Sequence, residues 1–139
     1  MSDFHEFNRG VIEEFRANAG KVGGNFAHMP MVLITHTGAR TGDQRTTPLV
    51  CSVDGDDVII AASKAGSAKH PHWYLNLVAH PAITVEFGAD RYAATAVDTQ
   101  GTERDRLFEQ HAAALPQFRG YAQKAAGKRV IPVLRLVRS

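Results

Sequence analysis

The stretch MVLITHTGARTGDQRTTPLVCSVDGDDVIIAAS, Met31 to Ser63, decides the architecture of this chain. It opens on a β-branched, partly alternating run, Met31 to Thr37, whose pattern predicts a strand. The segment Thr37-Gly38-Ala39-Arg40-Thr41-Gly42 then forces a turn. A second strand is predicted from Gln44 to Val53, and Asp54-Gly55-Asp56 joins it to a third, Val58 to Ser63, with hairpin turn chemistry. Strands linked by connections this short pair antiparallel, because parallel neighbours need a crossover of roughly a dozen residues or more.

The same signals continue on both sides. Ile83 to Phe87 and Tyr92 to Asp98 flank Gly88-Ala89-Asp90 as another hairpin, and a last strand is expected from Ile131 to Val137. Two helices interrupt the strands. His70-Pro71 opens one that runs through Ala79, with Pro81 beyond its end. Thr102-Glu103-Arg104-Asp105 resembles a capping box with Asp in the usual Glu position, and Leu107, Phe108 and His111 carry that helix towards Pro116. Towards the N-terminus, Phe4, Phe7, Val11, Ile12 and Phe15 recur at spacings of three and four over Asp3 to Ala19, and Gly20, Gly23 and Gly24 end the run. That stripe suits the cover of a sheet. It also suits a peripheral membrane contact through Arg9, Arg16 and Lys21, although Glu6, Glu13 and Glu14 dilute the charge. Together the elements predict an α+β fold, an antiparallel barrel with an N-terminal helix and helices between strands.

A length of 139 residues predicts one domain, 1–139, with 1–24 as the N-terminal helix and linker. With 44% hydrophobic and 22% charged residues the chain is neither disordered nor membrane-spanning in composition. A net charge of +2 is too small to argue for nucleic acid. The first residues lack a basic segment followed by an apolar one, so the expected location is the cytoplasm. The single cysteine, Cys51, rules out an internal disulfide framework and reads as a small buried hydrophobe.

Two segments carry candidate chemistry. Around Thr37 to Gly42, with Arg45, Thr46 and Thr47 behind it, glycines can turn backbone N–H groups outward while two arginines grip a phosphate or carboxylate. A solvated hairpin tip fits the same residues, and both readings stand. The second segment is Ala61-Ala62-Ser63-Lys64-Ala65-Gly66-Ser67, followed by Lys69 and His70-Pro71-His72-Trp73-Tyr74-Leu75-Asn76. Here a hydroxyl and an ammonium leave a strand end beside an aromatic wall. The bland alternative is a polar loop and a core tryptophan. His36 is either a core histidine or a ligand contact. His70 and His72 lack the third and fourth ligands that zinc needs, so no metal site is expected. Hydrolytic chemistry lacks its usual nucleophile and base.

In order, the motifs Thr37 to Gly42, Arg45 to Pro48, Ala62 to Gly66 and Lys69 to Leu77 resemble the deazaflavin-dependent nitroreductase and quinone reductase family, whose members bind coenzyme F-420. The likeness extends through His80-Pro81, Thr84-Val85-Glu86 and Ile131-Pro132-Val133. It implies a split β-barrel related to the flavin-mononucleotide-binding barrels, and a redox enzyme that passes a hydride to a conjugated electrophile such as a quinone or a nitroaromatic compound. Carried over by motif, Arg40, Arg45, Ser63, Lys64, Trp73 and Asn76 would hold the phosphate and its surroundings. Pro48, Leu49, Ala61 and Ala62 would line the ring. Ala39 stands where relatives more often carry a cation. Proton donors to test are Tyr121, in the segment that resembles the substrate-side lid, Tyr74, and ordered water. Flavin mononucleotide (FMN) is the alternative ligand, and a non-catalytic deazaflavin carrier is the alternative role. The resemblance leaves oligomeric state open and implies no nucleic-acid partner.

Overall fold

Among the described residues, seven strands hydrogen-bond into one antiparallel sheet in the computed structural model, in the spatial order β2-β1-β5-β6-β7-β4-β3. They are β1 (Met31–Thr37), β2 (Gln44–Val50), β3 (Ser52–Asp54), β4 (Asp57–Ala61), β5 (Ala82–Phe87), β6 (Asp90–Asp98) and β7 (Val133–Arg138). Four helices accompany them: α1 (Ser2–Ala17), α2 (His72–Ala79), α3 (Gly101–Ala114) and α4 (Gln117–Ala125). The structure describes residues 2–23, 29–66 and 69–139, without the side chains of residues 2–7 and of Ala65. Gly24, Ser67 and the side chains of Phe4 and Phe7 therefore lie outside the described residues.

The second predicted strand divides in two, and the division shapes the fold. β2 and β3 sit at opposite edges of the sheet yet are separated in the chain by Cys51 alone. A flat sheet of seven strands would hold its edges about 29 Å apart, at roughly 4.8 Å per spacing. Two residues of chain span at most about 7 Å. The sheet must therefore curl until its edges meet, and it forms the split barrel. Cys51 is fully buried at the seam, where its N–H donates to the Pro30 carbonyl at 3.0 Å.

Alternation then assigns two faces. Val32, Ile34, Val58, Ile60, Val85, Ala94, Leu134 and Leu136 fill the interior with Cys51 and Leu77. On the outside, Ile59, Ala61 and Val133 pack against Leu107, Phe108 and Ala112 of α3 and Phe118 of α4. A third cluster joins Val11 and Phe15 of α1 to Met31, Leu33 and Val22. The N-terminal stripe thus covers the sheet through Val11 and Phe15. Arg16 fixes the docking by donating to both carboxylate oxygens of Glu86 at 3.0 and 2.8 Å, which holds that carboxyl below its ordinary range. The Ala19 and Gly20 backbones then turn with φ of +54° and +93°. A Cβ on Gly20 would lie 2.8 Å from the Gly88 Cα, so only glycine fits that approach.

Other expectations shift by a residue or more. Both hairpins tighten to two-residue turns, since Asp54 faces Asp57 and Phe87 faces Asp90. The expected capping box at Thr102 does not form. α3 starts at Gly101 behind Gln100, whose side chain makes no capping bond, so Thr102 already lies inside the first turn. The turn into the helix is made by Gly101, with φ of +61°. Phe15 is 2% exposed and central to the α1 contact. Phe15→Ala should lower unfolding free energy by about 3–5 kcal/mol in urea denaturation. A loss below about 1 kcal/mol would mean that α1 rides loosely on the sheet.

Candidate functional site

Register alone brings the two candidate segments together. Thr37 faces Gln44, Thr35 faces Thr84, Ala82 faces Thr95, Asp98 faces Leu134, and Val133 faces Ala61. The end of β1, the start of β2 and the end of β4 therefore share one rim of the barrel. Helix α2 lies at that rim, with Leu77 buried in the interior cluster and Trp73 and Tyr74 packed partly against it.

The split lies between β2 and β4. Strand β3 pairs with β4 only from Asp57 to Ile59, so Ile60 and Ala61 keep one free edge. Strand β2 pairs only with β1 among the described residues, leaving its other edge free. Pro48 is tolerated there because an edge strand can do without one N–H. The two free edges run to the same rim, bounded by half-buried Pro48 and Leu49 on one side and small, buried Ala61 and Ala62 on the other.

At the open end stand Arg40, Arg45 and Lys64, all exposed. Among the described residues no carboxylate pairs with any of the three. Elsewhere Arg16, Arg104, Arg106, Arg119 and Arg135 each meet an acid. Three cations beside two strand edges that carry free backbone polar groups suit an anionic ligand.

A buried polar relay positions the first loop. Asn76 accepts from the Ala39 N–H through Oδ1 at 2.9 Å, which orients its amide. Its Nδ2 then donates to His36 Nδ1 at 3.1 Å, so His36 carries its proton on Nε2 and donates it to Thr47 Oγ1 at 2.9 Å. His36 is a satisfied core histidine, 2% exposed. Burial, helped by the charge of Arg45, pushes its imidazole down to about 4. The loop is closed by Gly38 N–H to the Asp43 carbonyl at 2.8 Å and Gly42 N–H to the Gly38 carbonyl at 2.9 Å.

The second segment is held differently. Lys64 begins a 3-10 turn with φ of +45°, and Gly66 follows at +81°. A Cβ on Gly66 would sit 2.9 Å from the Tyr121 carbonyl, so α4 packs directly on this turn. Tyr121 meets Phe118 edge-on at 5.2 Å. Tyr74 lies on the other side of the rim, against His70 at 4.7 Å, and its hydroxyl donates to Asp98 Oδ2 at 2.5 Å. Burial and that hydrogen bond push the Tyr74 hydroxyl up to about 12. It borders a cavity of about 370 Å³ lined also by His70, Asp98, Arg104 and Pro132.

Sequence reasoning passed over two residues at the rim. Arg129 bonds the Ala62 and Ser63 carbonyls, and Asp98 accepts the hydrogen bond of the Tyr74 hydroxyl. Neither sits in a local motif, and only the folded contacts reveal them. Helix α4 likewise escaped notice, because Gly120 interrupts its helical pattern.

This curled antiparallel sheet with helices on its outside defines a fold class, the split β-barrels. Solved structures below 25% identity reproduce the fold, with TM-scores of 0.54 to 0.59. Residues 7–137 match the family of F420H(2)-dependent quinone reductases, and the chain belongs to that family. A relative from Mycobacterium tuberculosis, an F420H(2)-dependent quinone reductase, is 38% identical over 98 residues, 68% of this chain and 66% of the relative. The chain thus matches just under two thirds of that relative's length. The structure of an F420-H2 dependent reductase (FDR-A) is 35% identical and superposes with a TM-score of 0.70, covering 77% of this chain and 93% of its own. Another structure, a domain-swapped dimer, is 31% identical with a TM-score of 0.71, covering 97% of this chain and 98% of its own. Among the described residues no helix is long and apolar enough to cross a membrane.

His36 and His111 are each pushed down to about 4 by burial, against an ordinary 6.5. Between pH 6.5 and 4 the unfolded chain binds protons that the folded chain refuses, so stability must fall as pH falls through that window. The loss should reach on the order of 3 kcal/mol per histidine by pH 4. Urea denaturation at a series of pH values measures it, and a profile flat from pH 7 to 4.5 would contradict the assignment.

Proposed function

We propose that this chain uses reduced coenzyme F-420 to reduce a conjugated electrophile of the quinone type, with nitroaromatic compounds accepted by the same chemistry. The carrying observation is the trio Arg40, Arg45 and Lys64, exposed and without a carboxylate partner among the described residues, on the rim where the free edges of β2 and β4 end. On this reading Pro48, Leu49, Ala61 and Ala62 line the ring. A phosphodiester with an acidic tail needs the cations, and a flat ring needs a slot with small walls. When bound, the reduced deazaflavin supplies the hydride. The chain's own residues bind, orient and exclude water. Lys64 and Arg45 hold the phosphate, Ser63 donates to it, and Arg40 reaches the acidic tail. Trp73 walls the rim. Asn76, engaged by His36 and Ala39, sets the loop that carries Arg40.

Tyr121 is the better proton donor of the two tyrosines, since the Tyr74 proton is already held by Asp98 and its acidity is lowered. Tyr121→Phe should reduce kcat by roughly 100-fold at unchanged cofactor affinity, whereas Tyr74→Phe should leave kcat near the parent value. The reverse ranking in steady-state quinone reduction would reassign the donor.

Cofactor fluorescence on titration with the protein tests the ligand directly, with FMN titrated alongside. Lys64→Ala should weaken F-420 binding by about 1–3 kcal/mol, the range for a charge-assisted hydrogen bond. An unchanged Kd removes Lys64 from the site, and no binding of the coenzyme at micromolar concentration removes the proposal. Tight binding without oxidation of the reduced coenzyme by menadione would make the protein a carrier.

A further inference from the structure

Arg129 lies between α4 and β7, outside every motif that marks the cofactor slot. Its guanidinium nevertheless reaches the end of β4. Nη1 donates to the Ala62 carbonyl at 2.9 Å and to His70 Nδ1 at 3.1 Å, while Nη2 donates to the Ser63 carbonyl at 2.7 Å. In a strand, successive carbonyls point in opposite directions, so one guanidinium can hold two of them only where the chain leaves strand geometry. The next residue confirms the departure, because Lys64 has φ of +45°, in the left-handed region that non-glycine residues rarely adopt.

The same segment is gripped from neighbouring positions of the C-terminal part of the chain. The Ala62 N–H donates to the Pro132 carbonyl at 2.9 Å, and Gly66 packs on the Tyr121 carbonyl. The Ser63 carbonyl takes a second donor, the Gly66 N–H, at 2.9 Å. Every described peptide bond is trans, and in a trans peptide the C=O and the following N–H point oppositely. With the Ala62 and Ser63 carbonyls turned onto Arg129, the Ser63 and Lys64 N–H groups are turned away from it. Among the described residues neither N–H has an acceptor. Two adjacent free N–H groups leading into a left-handed residue form a concavity that accepts an anion.

We propose that Arg129 is a positioning residue: by clamping the Ala62 and Ser63 carbonyls it presents the Ser63 and Lys64 N–H groups together as the phosphate-binding edge of the cofactor site. The role rests on the F-420 reading above and adds to it a residue far away in sequence, linking the segment after α4 to the phosphate. Its positive charge on the carbonyl side also polarises both peptides towards the anion.

The test is fluorescence titration of the full chain with two ligands, coenzyme F-420 and the phosphate-free 8-hydroxy-5-deazariboflavin. Arg129→Ala should raise the Kd for F-420 about tenfold or more and leave the Kd for the phosphate-free compound within about twofold, because only the first ligand uses the N–H edge. Equal loss for both ligands, or no loss for either, overturns the role. Arg129→Lys keeps the charge but cannot bridge two carbonyls as a fork does, and it should show the same selective loss in smaller measure. If the alanine variant does not fold, the lysine variant decides by the same comparison. Wild-type protein that binds neither ligand removes the cofactor reading itself and this role with it.

Discussion

The passage of the chain through Cys51 is the constraint on which the rest depends. One residue joins the two outermost strands, so the sheet has no choice but to close upon itself. Closure turns alternating side chains into an inside and an outside and buries a continuous apolar interior. It also leaves a flaw. Strand β3 is short and leaves β4 at Ile59, so the last residues of β4 and the length of β2 approach the rim with unpaired edges. Free edges are ordinarily a liability, because they recruit other strands. Here Pro48 interrupts the free edge of β2, and the outer faces are covered by α1, α3 and α4.

Around the body of the barrel, several arginines meet acids. Arg135 bonds Asp54 and Asp57, and Arg106 reaches Asp54 from α3, which ties the β3–β4 hairpin to its neighbours. Pairs of this kind contribute little individually where exposed, about 0–1 kcal/mol. At the rim, Arg40, Arg45 and Lys64 meet no carboxylate among the described residues, while His36, Asn76 and the Ala39 N–H beneath them are hydrogen-bonded to one another. The His36, Asn76 and Ala39 relay has no proton to give away, because its histidine must remain neutral for Asn76 to donate to it. Its effect is to fix the loop, and thereby the direction from which Arg40 approaches.

The chain belongs to the family of F420H(2)-dependent quinone reductases, and its rim carries Arg40, Arg45 and Lys64 above the hydrogen-bonded His36 and Asn76. Tyr121 on α4 lies beside the rim, its carbonyl packed on the Lys64 to Gly66 turn.

By itself the sequence determined the parts. Strand β1 has the bounds its pattern predicts, Met31 to Thr37, both hairpin turns fall where glycine and aspartate place them, and α2 starts behind Pro71. The positions of Arg40 and Lys64 beside turns could be read from the sequence as well, though not what surrounds them. These are local properties, set by neighbours two to four positions away. Only the tertiary structure decided that Gln44 to Val53 breaks at Cys51, that Asn76 serves the loop, that Phe15 covers the sheet, and that Tyr74 is tied to Asp98. It alone placed Arg129 on carbonyls 67 and 66 residues earlier in the chain. The reason is closure: such contacts exist only after the edges of the sheet have met, and no local pattern records which distant residues that meeting brings together.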